Sequence, residues 1–397
     1  MPVDFSVTLT RGTSRILGLV SRTILLCAIV ESSAALAADV DITPKYSQSF
    51  EVDSNPLLAP SGGKTLYGSV FMPEVTFSRS TGDSNISMDN RLDLSRYNLD
   101  QFSSADAHST IAGKKSWQTS YFSMSGTVDY DTTRTSEFNN SGINVAGIRH
   151  TGYSIAPEYG ISLDPRDQFV LDANASYAHY DSASYYQDYV SYGLSPTLER
   201  AFDAKDTGEL ILQTSHYNTA SGPRNTANTI GPAIGWKRQL TPALSINVSG
   251  GYQMVKINIS GLESSTQYDY FYNVDVAYKA QRDSFDFTSS RGVQPQSSGR
   301  VTTATSFGFS GTHGFTRRTA DTLLVNYEMK DYTTPFFGNE SSFLEVSDKV
   351  SYQLAERWAI QPTLRYRREG RTGNFIPADS EAVLISFAFT PPDFNFH

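Results

Sequence analysis

The residues of this sequence best suited to acid–base or nucleophilic chemistry are six histidines (His108, His150, His179, His216, His313 and His397) and an abundance of serine and aspartate. A histidine within hydrogen-bond reach of a serine or aspartate could serve as a general base. The six are scattered, however. They form no His-Glu-x-x-His, and the chain has no Gly-x-Ser-x-Gly and no phosphate loop. Nor are they spaced as metal ligands. The sequence therefore predicts no catalytic residue, no cofactor and no metal site. A second set of polar residues is regularly spaced: Asp89, Arg91 and Asp93, then Asp129, Glu158, Asp172, Asp269, Asp275, Glu328, and Arg365 with Arg367. Each occupies the polar phase of an alternating segment, so together they would line one polar surface carrying both signs of charge. Arg365 and Arg367 share a face, close to Glu328 and Lys330 if neighbouring strands pair in sequence order. They would form either a selectivity ladder for anionic or sugar solutes or a set of mutually paired charges.

The elements that must hold these residues have a period of two. Val40, Ile42, Pro44, Tyr46, Phe50 and Val52 alternate with Asp41, Thr43, Lys45, Ser47, Ser49 and Glu51. The same pattern returns over Leu244–Met254, Tyr268–Tyr278 and Trp358–Tyr366. Each reads as a strand of about ten residues or more with one apolar and one polar face. That length suits a tilted strand crossing a bilayer better than a soluble strand of about five or six residues. Above the period of two lies a longer one. Short polar turns recur at Asp164-Pro165-Arg166-Asp167, Asp203–Asp206, Leu240–Ala243, Gln281–Asp283, Thr316–Asp321 and Ala355–Arg357. Longer linkers rich in Ser, Asn, Gly and Pro fall between them at Thr219–Asn228, Arg291–Arg300, Asp331–Ser342 and Glu369–Asp379. Alternating short turns and longer loops predict an all-β chain: a transmembrane, antiparallel, up-and-down β-barrel with short periplasmic turns and longer extracellular loops.

Strands are predicted at 40–53, 65–79, 85–97, 103–112, 118–131, 148–163, 168–180, 188–199, 207–218, 229–239, 244–258, 267–279, 285–290, 302–314, 321–330, 343–355, 358–368 and 379–389. That makes about 18, with 16 as the alternative if the short segments 103–112 and 285–290 are dropped. None of the outside loops looks long enough to fold in as a constriction. Tyr46 with Phe50, Tyr121 with Phe122, Tyr153 with Tyr159, Tyr185, Tyr186, Tyr189, and Phe336 with Phe337 cluster near strand ends, where rings would form interfacial girdles. The last strand carries alternating Val383, Ile385, Phe387 and Phe389, the pattern that barrel-assembly machinery reads. Phe394 and Phe396 repeat the spacing in a tail after Pro391.

Residues 1–37 read as a secretory signal peptide: Arg11, Arg15 and Arg22, an apolar run from Thr23 to Val30, and Ala35-Leu36-Ala37 before the cut. Residues 38–397 are then the barrel, and no plug-sized domain precedes its first strand. Cys27, the single cysteine, falls in the leader, so disulfides and thiolate metal sites are not expected in the rest. Removing the leader's three arginines and two acids takes the net charge from −9 to about −10. With no basic stripe, nucleic acid is not an expected partner. Charged residues are 18% and aromatic residues 12% of the chain. No apolar run after the leader approaches helix-spanning length, which excludes a helical membrane protein.

Several segments also resemble a known family. Asp131-Thr132-Thr133-Arg134-Thr135-Ser136-Glu137-Phe138 with Gly142 is similar to a loop of outer-membrane barrels associated with exopolysaccharide (exosortase-type) gene clusters, overlapping the β-barrel porin 2 group. Ile42-Thr43-Pro44 with Asp53-Ser54-Asn55, the Ser290–Gly299 segment and Tyr352–Trp358 resemble it as well. The resemblance spans the chain after the leader, and it implies an outer-membrane barrel and a polysaccharide exit pore, with no catalytic residues. The Pro-rich ending after Phe389 departs from the family pattern. The expected function is a channel: a porin-like or polysaccharide-export pore for polar solutes in the outer membrane of a Gram-negative bacterium. The alternatives are a non-conducting structural or receptor barrel using its outer loops and, less favoured, a barrel enzyme. The expected partners are outer-membrane lipid, the barrel-assembly machinery, and polysaccharide or small polar solutes.

Overall fold

A computed structural model describes residues 39–136, 147–182, 186–261, 263–332, 341–371 and 376–396. The leader, Tyr185, Phe336, Phe337, His397 and part of the family-like loop after Ser136 lie outside these. Eighteen long strands run in chain order: β1 Asp39–Asp53, β2 Leu66–Ser80, β3 Ser84–Tyr97, β4 Ala105–Ser116, β5 Ser120–Thr132, β6 Arg149–Ser162, β7 Asp167–Tyr180, β8 Tyr189–Ala201 and β9 Asp206–Thr219. They continue as β10 Thr226–Thr241, β11 Leu244–Asn258, β12 Ser265–Lys279, β13 Asp283–Pro295, β14 Val301–Gly314, β15 Thr319–Tyr332, β16 Ser341–Ala355, β17 Trp358–Arg371 and β18 Ala378–Phe389. Each pairs antiparallel with its sequence neighbours, and β18 returns to β1 over Tyr46–Asp53, closing the ring. Segments 103–112 and 285–290 are both strands, so the count is eighteen rather than sixteen.

The alternation sorts side chains between two faces. Ile234 is 70% exposed and Tyr252 72% exposed, while their neighbours Ala233 and Gln253 are buried. So much exposed apolar surface suits lipid rather than water, and it places the polar phase inside. Prolines inside the wall fit the same scheme. Where Pro73, Pro157, Pro196, Pro232 and Pro362 fall, the ladder skips two residue pairs but keeps its register. A proline has no N–H to donate, so the local bonds are lost while the flanking pairs hold the alignment.

At the short-turn rim, side-chain oxygens replace the missing ladder. Asp164 Oδ1 accepts from the N–H groups of Arg166 (2.7 Å) and Asp167 (2.8 Å), and Asp203 Oδ1 does the same for Lys205 and Asp206. These backbone donors hold both carboxyls below the usual aspartate range. Trp358 stacks on Phe389 at 4.6 Å near this rim, and Phe202 and Phe315 stand exposed in the turns themselves. Tyr46, Phe50, Phe122, Tyr153 and Tyr159 are part of the exposed apolar surface. Tyr121, Tyr186 and Tyr189 are not girdle residues. The register puts Tyr121 opposite Gly160 on the inner face, Tyr186 is wholly buried, and Tyr189 packs inward. A ring two residues from a turn has even odds of either phase, and clustering near strand ends does not reveal which.

Tyr121 shows how the inner face is packed. Its ring lies over Gly160, where an added Cβ would stand 2.2 Å from the ring edge, and Lys114 Nζ sits 4.4 Å from the ring centroid. Gly160→Val is expected to destabilise the barrel by about 1–3 kcal/mol, because the displaced ring has no low-energy alternative under the lysine. Urea unfolding of the refolded protein in lipid vesicles measures this, and an unchanged midpoint would show that the ring moves freely.

Candidate functional site: a polar lumen and a lapped hairpin

All eleven residues of the regularly spaced polar set lie on the inner face by register, but they do not form one continuous ladder. Asp93, Arg91, His108 and Asp129 make one cluster across β3, β4 and β5. Arg91 Nε is 2.9 Å from Asp93, and the His108 ring lies between Asp129 (2.8 Å) and Asp93 (3.5 Å). Asp89 lies in the same strand and accepts from Thr76 Oγ1 at 2.6 Å. Glu158 faces Asp172 across β6 and β7, and Glu199 faces Glu209 across β8 and β9. Lys237 of β10 supplies the counter-charge, 2.8 Å from Glu199 and 2.5 Å from Glu209. Four carboxylates to one lysine leave this arc acidic.

The opposite arc carries both signs of charge. Arg365 and Arg367 are not near Glu328, because the register sets Arg365 opposite Ser347, which in turn faces Leu324. Glu328 instead pairs with Lys330 at 3.0 Å. The two arginines turn the other way, across β18 to β1. Arg365 Nη2 donates to Glu51 at 2.6 Å and to Asp53 at 3.1 Å, and Arg367 Nη2 donates to Asp53 at 2.5 Å. Asp53, with no exposed surface, also accepts from Ser380 Oγ (2.6 Å) and the Asn55 N–H (3.0 Å). Arg134, in a single helical turn Thr133–Ser136 after β5, reaches in to Glu51 at 3.3 Å and lies over the Tyr97 ring at 4.7 Å. Glu345 faces Arg367 across β16 and β17, so three arginines meet three acids and the charges on this side balance. Of the two sequence readings, mutually paired charges describe Arg365 and Arg367. Their partners Glu51 and Asp53 are separated from them by more than three hundred residues, beyond the reach of pattern reading.

The five described histidines each meet a polar partner near their own strand: His108 and Asp129, His150 and Asp131, His179 and Asp188, His216 and Asn228, His313 and Asp283. No histidine is hydrogen-bonded to a serine among the described residues.

The outer mouth departs from the sequence reading. The linker Arg291–Arg300 was expected to be a loop, and no loop was expected to fold in. In fact β13 and β14 continue as a paired hairpin through Pro295 and Val301, with a tight turn between them. β12 and β13 stay paired only up to Tyr272 opposite Arg291. Above that point the hairpin parts from β12 and laps inside its neighbours, while β14 stays paired with β15 up to Thr302 opposite Tyr332. Val301 packs in a cluster with Tyr217, Ala227, Val255 and Ile257, on the inner faces of β9, β10 and β11, and Val293 and Tyr189 pack against it. Gln296 and Gly299 carbonyls accept from Tyr217 Oη (3.1 Å) and Asn225 Nδ2 (2.8 Å), and the Ser297 carbonyl accepts from the Gln187 N–H (2.7 Å). Asp269 of β12 accepts from Thr303 Oγ1 at 3.0 Å and lies 3.4 Å from Arg291. An independent strand assignment hides this feature, because a hairpin that leaves its wall has the same alternating pattern as one that stays.

No family model matches this sequence, and no curated protein does. Several solved structures are similar to this chain at low identity. The outer membrane protein opdK from Pseudomonas aeruginosa is similar with a TM-score of 0.45 and 10% identity, over 90% of this chain and 99% of that chain. OccAB4 of Acinetobacter baumannii gives 0.45 and 9%, with 90% and 99% covered. The FrpB iron transporter from Neisseria meningitidis (F3-3 variant) gives 0.46 and 8%, with 88% and 81% covered.

Proposed function

We propose that this protein is an outer-membrane channel for small polar solutes, narrowed at its outer mouth by the β13–β14 hairpin. The observation that carries this reading is the closed ring of eighteen strands with a polar, charged inner face. A barrel of 16–18 strands encloses enough space for an aqueous path unless protein fills it. The acidic arc on β6–β9 and the mutually paired charges of both signs on β16–β1 set up an uneven field within the lumen. Such a field favours dipolar or hydroxylated solutes over ions of one sign. The pore-lining assignment of Asp89, Arg91, Asp93, Asp129, Glu158, Asp172, Asp269, Asp275, Glu328, Arg365 and Arg367 is part of this proposal. So are cleavage of residues 1–37, delivery by the barrel-assembly machinery and residence among outer-membrane lipids. An exopolysaccharide cargo, implied by the sequence resemblance, is the finer version, supported by the many inner serines and threonines.

Planar-bilayer recording of the refolded chain tests the channel, after a gel confirms heat-modifiable migration. Steady unitary steps are expected, and block of those steps by added polysaccharide would support the finer cargo. The lapped hairpin favours a second reading, a non-conducting barrel that works through its outer loops. A folded, heat-modifiable protein that never conducts, even with the hairpin removed, would establish that reading and end the first.

A further inference from the structure

We propose that the short-turn mouth of the barrel carries an anion-binding recess, built by the β14–β15 and β16–β17 turns, that takes a soluble solute bearing a carboxylate or phosphate. The inference rests on the channel reading for its purpose, but its test is a binding measurement. An open recess of about 290 Å³ lies between these two turns and the end of β18. That is near the small end of ligand pockets, roughly 300–1,000 Å³. Its floor is the inner face of the wall. Gln353 faces Ala359 and Ala359 faces Ala388, while the alternate residues Tyr352, Leu354, Trp358 and Phe387 are exposed on the apolar side. Two alanines side by side leave the hollow. Arg318 continues this inner row, its carbonyl accepting from the Gln353 N–H at 2.8 Å. Arg357 lies in the next row, its carbonyl accepting from the Thr390 N–H at 3.0 Å.

The charge on the recess is one-sided. Arg317, Arg318 and Arg357 line it, against the single carboxylate of Glu356. None of the three guanidiniums forms an ion pair among the described residues, whereas Lys115, Arg200 and Arg238 elsewhere on the same rim each meet a carboxylate. The backbone of both turns is held. Thr316 Oγ1 accepts from the N–H groups of Arg318 (3.1 Å) and Thr319 (3.0 Å), and Gln353 Nε2 donates to the Glu356 carbonyl at 2.9 Å. Guanidiniums from two turns therefore share one hollow, and the fork of each matches the paired oxygens of a carboxylate or phosphate. Farther into the barrel on the same inner face, Lys349 stands opposite Thr363, two residues and about 7 Å beyond Ser351 at the edge of the recess. It too meets no carboxylate among the described residues. The basic surface thus continues inward until Arg365, whose guanidinium is already taken by Glu51 and Asp53. Because the recess opens on the polar phase of the wall, its occupant is a soluble anion rather than a phospholipid headgroup.

Trp358, at the lip of the recess beside Arg357, provides the readout. In the full chain, refolded in uncharged detergent with Trp117→Phe and Trp236→Phe, it is the only tryptophan. Its emission is expected to change saturably with trigalacturonate and not with neutral maltotriose, and inorganic phosphate should compete. Arg318→Gln with Arg357→Gln should weaken trigalacturonate binding by about tenfold or more, the usual worth of a hydrogen bond to a charged group. Arg318→Lys with Arg357→Lys, which keeps the charge but not the fork, should fall between. These side chains are exposed in turns, so the heat-modifiable gel band should be the same for every variant. An equal response to maltotriose, or an affinity that the glutamine pair leaves unchanged, overturns the site. In phosphatidylcholine vesicles, with or without added phosphatidylglycerol, trigalacturonate should bind equally well. Loss of binding only with phosphatidylglycerol would give the recess to lipid headgroups and overturn the soluble anion. Saturable binding by a barrel that never conducts keeps the recess and sinks the channel reading, and conduction without binding does the reverse.

Discussion

Asp53→Ala is expected to lower the stability of the barrel by about 3–5 kcal/mol, because it strips a buried charge cluster of its shared anion. The Asp53 carboxylate takes donors from Arg365, Arg367, Ser380 and the Asn55 backbone, and it has no exposure to water. Without it two guanidiniums lie side by side, Arg365 keeping Glu51 at 2.6 Å and Arg367 facing Glu345 across β16 and β17. Replacing one member of a buried pair costs far more than the pair contributes over apolar packing, since the remaining charge stays desolvated. The temperature at which the folded gel band converts to the unfolded one should fall clearly for Asp53→Ala. The triple variant Asp53→Ala, Arg365→Met, Arg367→Met should recover most of the loss. No fall in the single variant would mean that water or a neighbouring carboxylate replaces Asp53 without cost.

Excising Gln294–Thr302 and bridging Val293 to Thr303 with Asn-Gly should raise unitary conductance several-fold while the barrel still folds. The two residues already face one another across the hairpin, so a two-residue turn closes without strain. Every wall ladder up to Arg291 and Thr305 remains. The variant loses the Val301 packing on Tyr217, Ala227, Val255 and Ile257, which exposes that inner patch to the lumen. Conductance equal to that of the intact chain would mean that the narrowest point lies elsewhere, with the carboxylates of β6–β9 the next place to cut.

How much of this was legible beforehand varied with the range of the interaction. β11, Leu244–Asn258, matches its prediction residue for residue, because alternation and a Thr-Pro turn are local signals. The eighteen-strand count followed from the same signals repeated. β13 was predicted as only Phe285–Ser290. Beyond Arg291 its serines, glutamines and prolines look like a linker, and whether a hairpin stays in the wall depends on the inner faces of strands far back in the chain. Likewise Arg365 and Arg367 were recognisable as inward charges, but β18 lies between them and their anions, on the strand that closes the ring. Tyr186 looked like an interfacial ring and is instead stacked at 5.0 Å on Tyr180. Phase after an irregular segment cannot be counted from either side.

The ring is completed by residues more than three hundred positions apart, and its two ends are fastened differently. Above, Asp53 bonds Arg367 and Ser380; below, a short strand β19, Phe394–Phe396, follows Pro391-Pro392 and pairs with Val40–Ile42 beneath the β18 contact. In time rather than space, this makes β1 the element that waits longest. Its second edge is exposed until β18 arrives, and a lone edge recruits wrong partners while it waits. The buried carboxylate at one end and the tail strand at the other then act as a check on completeness, since neither bond set forms on a chain that stops short or pairs out of register. A chain ending at Phe389 would still have every strand of the wall. It should close more slowly and slip more often, a cost visible in refolding yield before it is visible in the finished barrel.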